Sequence, residues 1–196
     1  QIVRIDRQTK TPLSPQTEAK VIDNIKKSIK DFDGVILSDY HLGCLTDNVV
    51  KCAIEEAKKA EAMGEVPIGA VIINEDGEII GRGYNTRETQ KRPTGHAELI
   101  AIEEAAKVKN SWRLSDCTLY VTLEPCPMCA GAIMNARLKR VVYGAFDENG
   151  GALSSVISLY EHNFGYKPLV RSRILEKECA LLLTEFFKNI RKADNS

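Results

Sequence analysis

Two short motifs in this chain carry residue types that can bind a transition metal and move protons. The first is His96-Ala97-Glu98 and the second, further along, is Cys126-Pro127-Met128-Cys129. One imidazole and two thiolates are three of the four tetrahedral ligands that zinc prefers. The other histidines, His41 and His162, lack ligand-type spacing to this cluster. The fourth position is therefore left for water, which is the arrangement of a catalytic zinc site rather than a structural one.

Helical geometry restricts where this metal can lie. Residues two apart on a helix diverge by about 200°, so His96 and Glu98 can both flank a metal only off the N-terminal end of their helix. Pro125 predicts a second helix N-terminus at Cys126. The positive ends of two helices would stabilise thiolate and a metal-bound hydroxide. Zinc lowers the pKa of its bound water to about 7, and Glu98, which ligates nothing, is predicted to be the general acid/base.

These residues allow two other interpretations. A close cysteine pair is also typical of redox or structural sites, and a lone histidine is often a packed core residue. An H-x-E motif upstream, with each motif beginning a helix, favours the catalytic site over both. The remaining cysteines, Cys44, Cys52, Cys117 and Cys179, are scattered and do not indicate a disulfide framework.

The elements that must position these residues follow from hydrophobic periodicity and turn signals. Strands alternating with helices predict an α/β sandwich whose sheet is covered on both faces. Glu75-Asp76-Gly77 between two apolar runs predicts a hairpin. The predicted strands are 34–38, 68–74, 78–84, 118–123, 140–145 and 169–173, and the predicted helices are 14–30, 48–63, 96–108, 126–136, 154–162 and 175–191.

The composition narrows the class of protein. Apolar residues make up 43% of the 196 residues, which is enough for a packed core. The 27 Lys and Arg balance the 27 Asp and Glu, so there is no global positive field, and any RNA must be bound by a local patch. No apolar run is long enough to span a membrane. The N-terminus lacks a signal-peptide pattern, so a cytoplasmic location is expected.

The motifs resemble one family of enzymes over residues 52–193. His96-Ala97-Glu98 and the segments Thr122–Ala132, Gly64–Ile72 and Arg140–Ala145 look like the bacterial tRNA-specific adenosine deaminases of the cytidine and deoxycytidylate deaminase-like superfamily. The resemblance implies a three-layer α/β/α sandwich with a central mixed sheet, in a homodimer. It implies one Zn²⁺ per chain, held by His96, Cys126 and Cys129, and no nucleotide cofactor or membrane partner.

The implied reaction is hydrolytic deamination of adenosine to inosine at the wobble position of a tRNA anticodon stem-loop. Zinc-bound hydroxide attacks C6 of a flipped adenine, and Glu98 shuttles the protons. The resemblance to the family also implies three substrate contacts in this chain: Asn85, the backbone of Ala97, and Asp147. The alternative for Asn85 is an ordinary turn residue, and the alternative for Asp147 is a plain surface acid. Gly150–Ser155 departs from the family's spacing of small residues.

The family signature fixes the chemistry but leaves the substrate open. One rival is a deaminase of a free base or nucleotide, such as guanine, cytosine or dCMP. The fuller match around Thr122–Ala132 and the presence of Asn85 favour tRNA. A second rival is a non-enzymatic, zinc-stabilised RNA-binding module, and Glu98 argues against it. A modest surplus of cations in the C-terminal segment 167–192 could contact RNA or form a solvated helix face.

The first part of the chain resembles a different family. Val3–Asp6 and Asp33–Gly43 look like a piece of a ribokinase-like heptose-phosphate kinase. The segments that carry the anion hole and catalytic aspartate of such kinases are absent, and so small a fragment cannot bury enough surface to fold alone. Residues 1–47 are therefore predicted to be an orphan or fusion segment without kinase activity, and residues 48–196 to be the zinc-dependent deaminase domain.

Overall fold

A computed structural model describes residues 46–193 of the chain. The expected helix at 14–30, the expected strand at 34–38 and the kinase-like segment up to residue 45 lie outside the described residues. The described helices are α1 (Thr46–Ala62), α2 (Ala97–Lys109), α3 (Pro127–Asn135) and α4 (Glu176–Ala193). The strands are β1 (Gly69–Ile73), β2 (Ile79–Tyr84), β3 (Thr118–Leu123), β4 (Arg140–Ala145) and β5 (Leu169–Arg171).

The five strands form one mixed sheet in the order β2-β1-β3-β4-β5. β1 pairs antiparallel with both β2 and β3. β3, β4 and β5 are parallel to one another. The β1–β2 connection is the expected hairpin, in which Gly77 takes a φ of 83°, a conformation that glycine adopts without steric cost. The predicted mixed-sheet α/β fold is confirmed.

Side chains along the central strands alternate between the two faces of the sheet, and the core is therefore divided into two layers. Leu119 and Val121 point to one face, whereas Tyr120 between them points to the other, as a period of two requires. The first layer packs the sheet against α2 and α3, and the second packs it against α1 and α4. The sheet is therefore covered on both faces, and the N-terminal ends of α2 and α3 lie on the same side of it.

Helix α2 lies unusually close to β2. Gly81 and Gly83 point at the alanine stripe Ala97, Ala101 and Ala105, each of which is fully buried. A Cβ added to Gly83 would lie 2.8 Å from the backbone nitrogen of Ala101 and closer still to the carbonyl oxygen of Ala97. Only a strand without a side chain there permits this approach. The contact fixes the position at which α2 begins.

The helix predicted at 154–162 is wrong. The structure has a single 3₁₀ turn there, Leu159–Glu161. The backbone N–H groups of Leu153, Ser154 and Ser155 donate instead to the buried carboxylate of Glu124. Further along, the N–H groups of Val156 and Leu159 donate to the carbonyls of Gly151 and Ala152, so the i→i−4 hydrogen bonds of an α-helix do not form.

Candidate metal centre and substrate pocket

The sheet topology brings all the chemistry-bearing segments to one edge. Since β2, β3 and β4 run in the same direction and β1 runs against them, the carboxyl ends of three strands meet the start of β1. Asn85 follows β2, Cys126 follows β3, Asp147 follows β4, and Glu65 precedes β1. Ligand sites in α/β proteins lie at this edge of the sheet.

The three expected metal ligands converge at two helix N-termini. His96 is the N-cap of α2 and Cys126 is the N-cap of α3. The Nδ1 atom of His96 lies 3.7 Å from the Sγ of Cys126 and 3.6 Å from the Sγ of Cys129. Zinc–ligand bonds of about 2.0–2.3 Å at tetrahedral angles place nitrogen and sulfur ligands about 3.6 Å apart. The residues therefore fit a zinc ion with one position left open.

The ionisable groups of this cluster shift one another's pKa values. The hydrogen bond from Cys129, the largest effect, lowers the pKa of the Cys126 thiol to about 4. The same contact, together with burial, raises the pKa of Cys129. The hydrogen bond to Cys126 raises the pKa of His96. A thiolate at a helix N-terminus is the form that binds a metal.

Glu98 lies beside the cluster in the first turn of α2. Its side chain is buried, with 4% of its surface exposed. Burial is the main cause that raises its pKa to about 7. A carboxyl group with that pKa can both accept and return a proton near neutral pH. This is the position the sequence predicted for the general acid/base.

A pocket of about 650 Å³ opens next to His96. This volume lies in the range of small-molecule sites. Asn85 and Asp147, two of the three expected substrate contacts, line its wall. The third, Ala97, is fully buried and is not among the described residues that line the pocket; the predicted role of its backbone groups stays a prediction. The apolar part of the lining is Val66, Ile68, Leu123, Ala145, Phe146, Ala180, Leu183 and Phe187.

Asn85 is held in the wall by a buried acid that precedes β1. Its side-chain Nδ2 donates to the Oε2 of Glu65 at 3.1 Å, and its backbone N–H donates to the carbonyl of Ile68 at 3.0 Å. Glu65 itself has no exposed surface. The carboxamide of Asn85 is therefore fixed in the pocket wall, and its contact with the substrate stays a prediction.

Asp147 begins a loop that wraps around a second buried acid. Its Oδ1 accepts the backbone N–H groups of Asn149 and Gly150, each at 3.0 Å, so its carboxylate closes a turn of its own loop. Its backbone N–H donates to Glu124 at 3.3 Å. The hydroxyl of Ser155 also donates to Glu124. The segment that departs from the family spacing is thus fixed by internal hydrogen bonds.

The sequence patterns single out neither Glu65 nor Glu124. The available signal is a lone acid in an otherwise apolar stretch, in Gly64–Ile73 for the first and Thr118–Pro125 for the second. Such an acid is buried only when polar groups satisfy it. The sequence also does not single out Arg87, which lines the pocket. Arg173, which belongs to the cationic C-terminal segment 167–192, lies over the ring of the lining residue Phe146, 5.0 Å from its centroid.

Comparison with known proteins agrees with this geometry. Residues 45–145 match the cytidine and deoxycytidylate deaminase zinc-binding region. A tRNA-specific adenosine deaminase of Bacillus subtilis (strain 168) is 52% identical over 144 residues, which are 73% of this chain and 89% of that protein. A tRNA-specific adenosine deaminase of Haemophilus influenzae is 44% identical over 147 residues, which are 74% of this chain and 85% of that protein. A solved structure from a study of A-to-I editing by tRNA:A34 deaminases at the wobble position has 40% identity and a TM-score of 0.67, over 69% of this chain and 99% of that one.

Proposed function

The chain belongs to the cytidine and deoxycytidylate deaminase zinc-binding family, and from that premise we propose that it deaminates adenosine to inosine in tRNA. The observation that carries the proposal is a zinc-type ligand triad with a buried Glu98 beside an open pocket. Sequence identity of 44–52% to tRNA-specific adenosine deaminases supports tRNA over a free base as the substrate. The finer assignments, an anticodon stem-loop as substrate, a homodimer and a cytoplasmic location, belong to the same proposal.

The positions of the site residues support the role that we propose for each of them. His96, Cys126 and Cys129 would hold zinc, which when bound supplies an activated water as the nucleophile for C6 of the adenine. The Glu98 carboxylate takes a proton from that water and delivers protons to the ring N1 and to the departing N6 amine. Water is consumed and ammonia leaves, so that inosine is the product.

The pocket walls would receive a base that has left its stack. An extruded base loses stacking and pairing energy, and the apolar lining with Phe146 and Phe187 offers surfaces against which it can pack. Asn85 supplies a fixed polar contact at the wall. Closure of this lining over the base would also exclude bulk water, which strengthens the electrostatic contribution of Glu98.

Arg87 lines the pocket and Arg173 lies over the lining residue Phe146, so that both can supply the local positive charge that a chain of balanced total charge needs to bind RNA. Arg87 is half exposed and pairs with Glu88 in solvent, an ion pair of little energetic weight that a phosphate can displace. Arg173 is exposed over Phe146. Phosphates on either side of an extruded nucleotide would meet these side chains.

The test is a comparison of substrates with one preparation of zinc-loaded protein. An anticodon stem-loop with adenosine at the wobble position is incubated beside free guanine, cytosine and dCMP. Inosine in the stem-loop, and no product from the small molecules, is the expected result. Binding of the stem-loop should weaken markedly between about 50 and 200 mM salt. Turnover of a free base, with a stem-loop affinity insensitive to salt, would overturn the tRNA assignment in favour of the small-molecule rival.

A further inference from the structure

Glu65 is a buried carboxylate that the reaction itself does not use. It has no exposed surface, and it lies four residues before β1 at the edge where the pocket opens. Its Oε1 accepts the backbone N–H of Thr89 at 2.6 Å, and its Oε2 accepts the Nδ2 of Asn85 at 3.1 Å. Burying a charge is costly unless hydrogen bonds satisfy it. The two partners of Glu65 supply those bonds and indicate which groups the carboxylate positions.

The chemistry of a carboxylate decides how the Asn85 amide is oriented. An ionised carboxylate only accepts hydrogen bonds, whereas a carboxamide has a donor end and an acceptor end. Glu65 can therefore pair only with the NH₂ end of Asn85. Burial raises the pKa of Glu65, but hydrogen bonds from Thr89 and Glu88 outweigh it, so that the net pKa is lowered and the group is ionised at neutral pH.

The second contact extends this control to the loop between β2 and α2. Thr89 lies within the segment that connects Asn85 to His96, and its N–H is bound by the same carboxylate. The start of the loop is also tied to the pocket wall through the bond between the Asn85 N–H and Ile68. One acid thus fixes the side chain that faces the base and the loop that leads to the metal cluster.

We infer that Glu65 is a positioning residue that holds the Asn85 carboxamide in one orientation and so sets the pattern of donors and acceptors presented to the base. The inference rests on the proposed function of the same pocket. Glutamine at position 65 would supply one acceptor and one donor group where the structure needs two acceptors. The Asn85 amide would then lose its single orientation, although the shape of the wall would remain.

The experiment compares Glu65→Gln with the matched control Glu56→Gln. Glu56 is also buried, with 2% exposure, but its partners are Lys59 at 2.8 Å and Arg82 at 3.1 Å, and neither partner lines the pocket, whereas Asn85 does. Glu65→Gln should lower kcat/KM on the stem-loop by about 10- to 100-fold, the size of one charged hydrogen bond, with zinc content unchanged. Glu56→Gln should lower the thermal midpoint without lowering kcat/KM. Equal losses of activity in the two variants would overturn the inference.

A double-mutant cycle separates positioning from general destabilisation. In the background of Asn85→Ala, the further change Glu65→Gln should have almost no additional effect on kcat/KM, because the group that it positions is gone. Full additivity would contradict the inference. If Glu65→Gln folds poorly, the pair Glu65→Gln with Asn85→Asp restores one donor and one acceptor between the two positions. That pair should recover the thermal midpoint but not the activity; recovery of neither would count against the pairing.

A readout that needs no substrate keeps this inference distinct from the proposed function. The side-chain amide protons of Asn85 should give a resolved pair of NMR signals with slow hydrogen exchange in the wild-type protein and in Glu56→Gln. Glu65→Gln should shift these signals and accelerate their exchange. The absence of deaminase activity in the wild type would refute the proposed function alone, whereas unchanged Asn85 signals in Glu65→Gln would refute the positioning role alone.

Discussion

Replacing Gly83 with alanine would insert a methyl group between β2 and the first turn of α2. The new Cβ would lie 2.8 Å from the backbone nitrogen of Ala101 and 3.1 Å from the carbonyl carbon of Ala97. Carbon atoms pack at about 3.5–4.0 Å. Backbone atoms of a helix cannot rotate away as a side chain can, so α2 as a whole must withdraw by about 1 Å.

That displacement acts on the residues that flank Ala97, the N-cap His96 and the buried Glu98. Overpacking of this kind costs about 1–3 kcal/mol, which corresponds to a thermal midpoint lower by roughly 2–12 °C for a domain of this size. A misplacement of about 1 Å can reduce turnover by about 100-fold. We therefore expect Gly83→Ala to lose far more kcat per bound zinc than its loss of stability explains.

The assay is stem-loop deamination normalised to zinc content, beside a thermal melt. Gly77→Ala is the matched control, because its φ of 83° makes alanine costly there while its Cβ would meet nothing within 4 Å. This control should lose about 1–2 kcal/mol and keep its activity. A Gly83→Ala protein with wild-type kcat and thermal midpoint would refute the reasoning that the close helix–strand contact positions the site.

Four further changes test other parts of the site and chain. Cys129→Ala should lose zinc, measured by metal analysis, and also stability, since metal binding is coupled to folding; full zinc occupancy would exclude it as a ligand. Glu98→Gln should keep zinc but lose about 10²–10⁴-fold in turnover, and near-normal turnover would remove its role. Glu124→Gln should lower the free energy of unfolding by about 1–3 kcal/mol and raise KM in stem-loop kinetics, because the Asp147 loop loses its anchor; unchanged values would contradict that. Removal of residues 1–47 should leave zinc content, activity and the thermal midpoint unchanged, and an insoluble or inactive product would show that this segment belongs to the domain.

The parts of this fold that depend on local signals could be predicted from the sequence. Thr118–Leu123 and Arg140–Ala145 are strands with the expected bounds, and the hairpin at Gly77 follows from its turn residues. His96 and Cys126 lie at helix N-caps, as the spacing of the two motifs requires. Each of these features is determined within a few neighbouring residues.

The features that could not be predicted depend on contacts between residues that are distant in sequence. Nothing local to 154–162 indicates that its N–H groups are taken by Glu124, which lies far upstream. β5 ends at Arg171 rather than at the predicted Arg173, whose φ is 67°. The strand order and the pairing of Glu65 with Asn85 across twenty residues are likewise set by tertiary packing.

No helix among residues 46–193 is long and apolar enough to cross a membrane.

The buried carboxylate of Glu124 joins two parts of the molecule that serve different ligands. It lies two residues before Cys126 on the metal-binding turn, and it receives the backbone N–H groups of Asp147 and Ser154 from the loop at the pocket. A ligand that orders one of these two segments should therefore also order the other. Thermodynamic linkage makes such coupling reciprocal: RNA that orders the loop should raise the affinity for zinc, and bound zinc should raise the affinity for RNA by the same factor.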